Sequence, residues 1–321
     1  MVEQQDSTPE AGRFLAAARG GDGAFWFRAA EVIDVPVDGG TIRVYRVPGS
    51  GRGRPVVFVP GWGTVPETFN DLYGAISPDT EIYHVETREK TSSRIDRRTA
   101  RFDMDQICAD LVAVMDHFGL NDRVPVLMGS CFGSAAILHG LARGILDAPT
   151  VVCVDPMVRL LVPRWVIVAV RPFVSAFVLS LLRPPLRALV LAGMRAPVQR
   201  ARAAAFINSA TIWKWRTAAI HLRDWDFFDL AAQIRRRVHV LNGSHDRFHN
   251  SDFFPGVARA IPDGVFIRVP VGESRRERLM GVAATVFAES APTDGVPPAI
   301  SRFVVPTNHS DAGSLGQYDT A

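Results

Sequence analysis

Residues 124–135 read Val-Pro-Val-Leu-Met-Gly-Ser-Cys-Phe-Gly-Ser-Ala, an apolar run that breaks at Gly129-Ser130-Cys131-Phe132-Gly133 into a stretch of small, helix-compatible residues. A strand that turns this sharply into a helix forces its central residue into a strained backbone conformation. Side chains on the flanking positions would strike the neighbouring strands, which accounts for the two glycines. The pattern therefore predicts a strand-to-helix elbow that holds Cys131 out at the top of a sheet. Its sulfur would sit at the N-terminus of a helix beginning near Phe132, where the partial positive charge favours thiolate over thiol.

Two further segments give the elbow a context. Pro55-Val56-Val57-Phe58-Val59 is a buried-strand run ending in Pro60-Gly61-Trp62-Gly63, and Val238-His239-Val240-Leu241-Asn242-Gly243 is another strand running into Ser244-His245-Asp246. The order of strand, Gly-Trp-Gly loop, elbow and late Asp resembles the α/β-hydrolase superfamily, and the resemblance spans roughly residues 30–290. It implies an α/β fold with a mostly parallel sheet and an inserted helical cap. It also implies Cys131 as nucleophile, the backbone N–H groups of Trp62 and Phe132 as oxyanion donors, and Asp246 as the acid. Cysteine elbows occur in dienelactone hydrolases and polyhydroxyalkanoate synthases, which this chain resembles only at Gly129–Gly133 and in the character of its cap.

In the superfamily a histidine follows the eighth strand, whereas here that place reads Val271-Gly272-Glu273-Ser274-Arg275-Arg276, with Glu273 where histidine is expected. An ordinary glutamate titrates near 4.3 and a cysteine near 8.5, a gap of about four units that opposes proton transfer by on the order of 5–6 kcal/mol. Three possibilities follow. Nearby arginines and the helix N-terminus generate thiolate without a base, with Glu273 orienting water or substrate as an atypical third member. His245 or His249, flanking Asp246, substitutes as the relay. Or catalysis is lost, leaving a hydrolase fold that binds a lipid-like ligand. Asp155, at the end of the sixth strand, is an alternative carboxylate.

The boundaries drawn from the sequence are an N-terminal segment 1–29, a core of 30–156 and 224–290, a cap of 157–223 and a tail of 291–321. In the core, Asp38-Gly39-Gly40 between two alternating runs signals a hairpin, and residues 107, 111, 114, 115 and 118 form a helical stripe within 104–118. Thr87–Arg101 reads as a polar loop, and Asp224–Ile234 as a helix returning under the cap. The tail is dominated by Pro, Gly, Ser, Thr and Asp and reads as mostly disordered.

The cap carries eleven arginines or lysines and no Asp or Glu. Its arginines interrupt every apolar run before the length of about 18–20 residues needed to cross a bilayer, so no spanning helix is expected, and its place after the sixth strand, where the resemblance to α/β-hydrolases implies a cap, makes it a helical lid over the cysteine. Such a lid either packs its apolar face on the core or makes peripheral contact with an anionic membrane. Three cysteines without paired spacing, and no apolar leader, suggest a reducing, cytoplasmic setting. No metal-type cysteine spacing, phosphate-cradling loop or nucleic-acid module is present in the sequence, so neither cofactor nor nucleic-acid partner is expected. The expected substrate is a small-molecule acyl ester or thioester with a substantial apolar portion, handled by hydrolysis or acyl transfer.

Overall fold

In the computed structural model, which describes residues 9–19, 30–160, 176–193, 197–243, 253–292 and 295–307, helix α1 (Pro9–Arg19) precedes the sheet. Strands β1 (Glu31–Val37) and β2 (Gly40–Val47) form the expected hairpin, in register from Val37 opposite Gly40 to Glu31 opposite Arg46. Gly39 turns it at φ 73°, a left-handed conformation that costs glycine little. The short apolar runs then become β3 (Val56–Val59), β4 (Ile82–Val85), β6 (Val126–Ser130) and β7 (Thr150–Val154), every residue of which is buried. Burial on both faces is what a parallel sheet covered by helices requires, and it explains why these runs do not alternate.

β5 (Arg94–Ile95) is a short partner of β2, and β8 (Val238–Gly243), β9 (Gly264–Val269) and β10 (Val304–Val305) complete the sheet. The order is β1-β2-β4-β3-β6-β7-β8-β9-β10. All pairings from β4 to β9 are parallel, while β1 with β2, β2 with β4 and β9 with β10 are antiparallel. This is the α/β-hydrolase arrangement, a mostly parallel mixed sheet flanked by helices.

The helices are α2 (Asn70–Tyr73), α3 (Met104–His117), α4 (Phe132–Ala142), the cap helices α5 (Ala176–Ala192), α6 (Pro197–Ser209) and α7 (Ile212–Leu222), then α8 (Phe254–Ala260), α9 (Arg276–Glu289) and α10 (Pro298–Ser301). Asp103 caps α3 by accepting from the Gln106 N–H. One core cluster joins the sheet to α3, α4 and α8, and a second joins its other face to α1 and α9. Among the described residues no helix is long and apolar enough to cross a membrane.

Two segments differ from the sequence expectations. Asp224–Ile234 forms no helix beyond the single turn Ala231–Gln233. The Asp226 side chain instead accepts from the Phe228 N–H, and the Phe227 N–H donates to Val158 O, which draws Phe227 into the core. In the tail, residues 295–307 are ordered and supply α10 and β10. Ile300 and Phe303 are buried, and the Phe303 ring lies 5.8 Å from that of Phe14. These two apolar side chains, the pairing of β10 with β9 and the Arg268 N–H bond to Phe303 O anchor a segment whose composition is otherwise that of a loose chain. Residues 308–321 lie outside the described part.

Candidate active site

Cys131 joins β6 to α4 with φ 50° and ψ −112°, a conformation that residues with a Cβ rarely adopt. The end of β7 holds it there. The Cys131 N–H donates to Val154 O at 3.0 Å, and its carbonyl accepts from Met157 and Ala135, each at 3.1 Å. The flanking glycines are sterically required: a Cβ on Gly133 would lie 1.9 Å from Val59 O, and one on Gly129 2.5 Å from Ser134 N. Cys131 is half-buried, whereas Cys108 and Cys153 are buried. Burial pushes the Cys153 thiol up to about 12 and raises that of Cys108 as well.

The Gly61-Trp62-Gly63 loop lies against this elbow, since a Cβ on Gly61 would come within 3.3 Å of the Cys131 Cβ. Phe132 is the first residue of α4, so its N–H has no acceptor within the helix. Among the described residues neither Phe132 nor Trp62 donates its N–H to a backbone carbonyl. The Trp62 ring packs edge-on to Phe132 at 5.0 Å and to Trp215 of α7 at 6.0 Å. Trp215 and Phe206 also close over Gly63, where a Cβ would lie 2.4 Å and 2.6 Å from their rings. Cap side chains thus cover the loop. Beside it a cavity of about 300 Å³ is lined by Tyr45, Glu86, Lys90, Ser92, Ser209 and Trp215, among others.

The polar loop read over Thr87–Arg101 is partly interior. Glu86, Thr87, Arg88, Glu89, Lys90 and Ser93 are all buried. Arg88 pairs with Asp110, Glu86 bonds both His84 and Ser92, and Lys90 bonds the Gly61–Thr64 loop. Burial lowers the Lys90 ammonium from its ordinary value, against the pull of Glu86, Glu89 and Cys131. Burial likewise works against the Glu86 carboxylate, yet Lys90 and the His84 bond leave it below its usual range.

After β9 the side chain that reaches the elbow is Arg276. Its Nη2 donates to Ser130 Oγ at 3.2 Å and its Nε to Asp155 Oδ2. Asp155 is 1% exposed, has φ 44°, and accepts from Asn242 Nδ2 at 2.6 Å on its other oxygen. Burial opposes the Arg276 charge, but Asp155, Glu277 and Cys131 outweigh it and raise the group above its ordinary value. A guanidinium held in this way is a fixed positive charge and a hydrogen-bond donor, never a base.

The other predicted site residues fall as follows. Glu273 opens the turn Glu273–Arg275 immediately before α9, and its side chain is outside the described residues, as are His245, Asp246 and His249. Of the carboxylates considered, Asp155 is the one whose described bonds connect it to the elbow. His84, His139, His221 and His239 are engaged with Glu86, Asp105, the Phe102 N–H and Val151 O, respectively. Among the described residues no group of three or more His, Cys, Asp or Glu side chains is arranged to hold a metal ion. Sequence reasoning missed the roles of Arg276 and Lys90. The first was visible only as a neighbour of Glu273, and the second only as one of the two lysines in the chain.

No protein-family model and no curated protein sequence matches the chain significantly. Solved structures do. An esterase from Exiguobacterium antarcticum is 16% identical, covers 81% of this chain and 99% of its own, and superposes with a TM-score of 0.64. A thermophilic esterase from Thermogutta terrifontis is 20% identical over 80% of this chain and 97% of its own, at 0.59. A bromoperoxidase from Bacillus anthracis is 13% identical over 81% and 100%, also at 0.59. The chain therefore has the α/β-hydrolase fold. Identities this low, in proteins named for different chemistries, speak to the fold and not to the reaction.

Proposed function

We propose that this protein is an ester- or thioester-processing enzyme that forms an acyl-Cys131 intermediate and passes the acyl group to an acceptor more nucleophilic than water. The observation that carries this reading is the Cys131 elbow, set between two candidate oxyanion donors, with the Arg276 guanidinium bonded to the neighbouring Ser130 hydroxyl and Lys90 bonded to the Gly61 carbonyl of the loop that abuts it. The esterases among the structural neighbours support the ester class.

A Cys131 thiolate attacks the acyl carbonyl, and the developing oxyanion is met by the N–H groups of Trp62 and Phe132. The tetrahedral intermediate collapses by expelling the alkoxide or thiolate. A thiolate leaves with little need of protonation, which favours thioesters and activated esters. Arg276 stands bonded to Asp155 beside the elbow and cannot accept a proton, so it does not itself activate water against the acyl-enzyme. In this reading Asp246 and Glu273 orient the acceptor rather than complete a proton relay. An acyl-ester and acyl-thioester panel tests the proposal. Turnover with at least one thioester, lost in Cys131→Ala and retained in Cys108→Ala, is expected; equal turnover in Cys131→Ala removes the nucleophile and leaves the ligand-binding alternative.

A second reading concerns the cap. Val178, Leu181, Leu182 and Leu189 of α5 are 38%, 68%, 51% and 72% exposed, and with the exposed Pro185 and Ala192 they fall on one helical stripe. An acid-free cap with eleven basic residues and an outward apolar stripe matches an anionic membrane surface, contacted peripherally.

A further inference from the structure

Of the 36 basic residues in this chain only Lys90 and Lys214 are lysine, and both are buried, at 3% and 4% exposure. They are also joined. Lys214 Nζ, on cap helix α7, donates to the carbonyls of Lys90 and Ser93, each at 2.5 Å. Lys90 Nζ in turn donates to Gly61 O at 2.6 Å, Thr64 O at 2.8 Å and Thr64 Oγ1 at 2.7 Å. Three acceptors around one nitrogen match the three N–H bonds of an ammonium, which radiate from a single atom; the planar fork of a guanidinium cannot converge on them in the same way. This accounts for lysine at position 90 in a chain that otherwise uses arginine.

The consequence lies in the peptide plane. Gly61 C=O and Trp62 N–H belong to one planar trans unit and point in opposite directions. Gly61 O also accepts from Thr64 Oγ1 at 2.8 Å, and that hydroxyl is itself held by Lys90, so fixing the carbonyl through Lys90 fixes the direction of the N–H. The next carbonyl but one, Gly63 O, accepts from Ser209 Oγ of the cap at 2.9 Å. The loop is thus held by its carbonyls on one side, while Gly61 abuts the Cys131 Cβ.

We infer that Lys90 is the positioning residue of this site: it holds Gly61 and Thr64 so that the Trp62 N–H points at the carbonyl oxygen of an acyl group on Cys131, and Lys214 ties that aim to the seating of the cap. The inference rests on the acyl-Cys131 reading and specifies how its oxyanion donor is held. Lys90 neither touches the substrate nor moves a proton, since all three of its N–H bonds are committed.

The test separates acylation, which passes through an oxyanion, from alkylation by iodoacetamide, which does not. In Lys90→Met the maximal rate of Cys131 acylation by an acyl thioester falls about 100-fold, the scale of losing one oxyanion donor. The half-saturating concentration stays unchanged, and alkylation falls far less. Lys90→Arg does not restore acylation. Thr64→Val keeps the charge but removes both an acceptor of Lys90 and the Thr64 Oγ1 bond donated to Gly61 O at 2.8 Å, and it shows a loss confined to acylation. Independently of any reaction, the amide order parameters of Trp62 and Gly63 drop in Lys90→Met from the about 0.85 of rigid backbone to below about 0.6. Equal falls in acylation and alkylation, or an unchanged Trp62 order parameter, overturn the inference. Failure of the native protein to acylate overturns the functional reading instead, and the order parameters then decide the role of Lys90 alone.

Discussion

Replacing Arg276 by methionine probes the feature that most separates this site from a histidine relay. Methionine keeps the apolar stem and removes the guanidinium, leaving Asp155, 1% exposed, with Asn242 as its remaining described partner. Removing one partner of a buried ion pair costs about 3–5 kcal/mol because the other charge stays uncompensated. The Arg276 side chain is itself 19% exposed, so some solvent screening applies and the lower end, about 3 kcal/mol, is expected. Urea unfolding reads this loss directly. The double variant Asp155→Asn/Arg276→Met removes the stranded charge and should recover at least about 1 kcal/mol relative to the sum of the single variants, the coupling expected of residues in contact. A loss below about 1 kcal/mol in Arg276→Met, or strict additivity in the double variant, would refute the pairing and with it the fixed charge beside the elbow.

Three other outcomes follow. In the native protein at pH 8 only Cys131 should alkylate, with mass spectrometry locating the adduct. Cys153, whose folded thiol titrates near 12 instead of 9, stays protonated, so unfolding releases its proton above about pH 9 and stability declines as pH rises through that point; labelling of Cys153 in native protein at pH 8 would contradict its burial. Glu273→His should raise hydrolysis of simple esters by installing a base, and Glu273→Gln should lower acyl transfer; no change in either places residue 273 outside the site. The protein should co-sediment with anionic vesicles at 0.05 M salt and be largely released at 1 M, where the Debye length shrinks to about 3 Å. Leu181→Ser/Leu189→Ser should weaken that binding, and no sedimentation at low salt leaves the cap as a cover for the site alone.

Much of the fold was legible because its signals are local. Asp38-Gly39 fixes the first hairpin, the apolar runs at 56–59, 126–130 and 150–154 fix three buried strands, and the glycine pair at 129 and 133 fixes the elbow. What escaped depends on contacts between distant segments. Lys90 acquires its role from carbonyls 26 and 29 residues away, and Arg276 from Asp155, 121 residues away. A polar run such as Thr87–Arg101 carries no sign of being buried until β-strand pairing and the cap enclose it. Asp224–Ile234 is a related case: the Phe227 N–H bond to Val158 O, 69 residues away, is also invisible in the local sequence.

The most direct test of the account is intact mass and peptide mapping after rapid mixing with an apolar acyl thioester. A single acyl adduct is expected on the peptide containing Cys131, absent in Cys131→Ala. The adduct should decay slowly in buffer and quickly when a thiol or amine acceptor is added. An adduct that hydrolyses as fast in buffer as with acceptor, or an acylated protein in which Cys131 is unmodified, would contradict it.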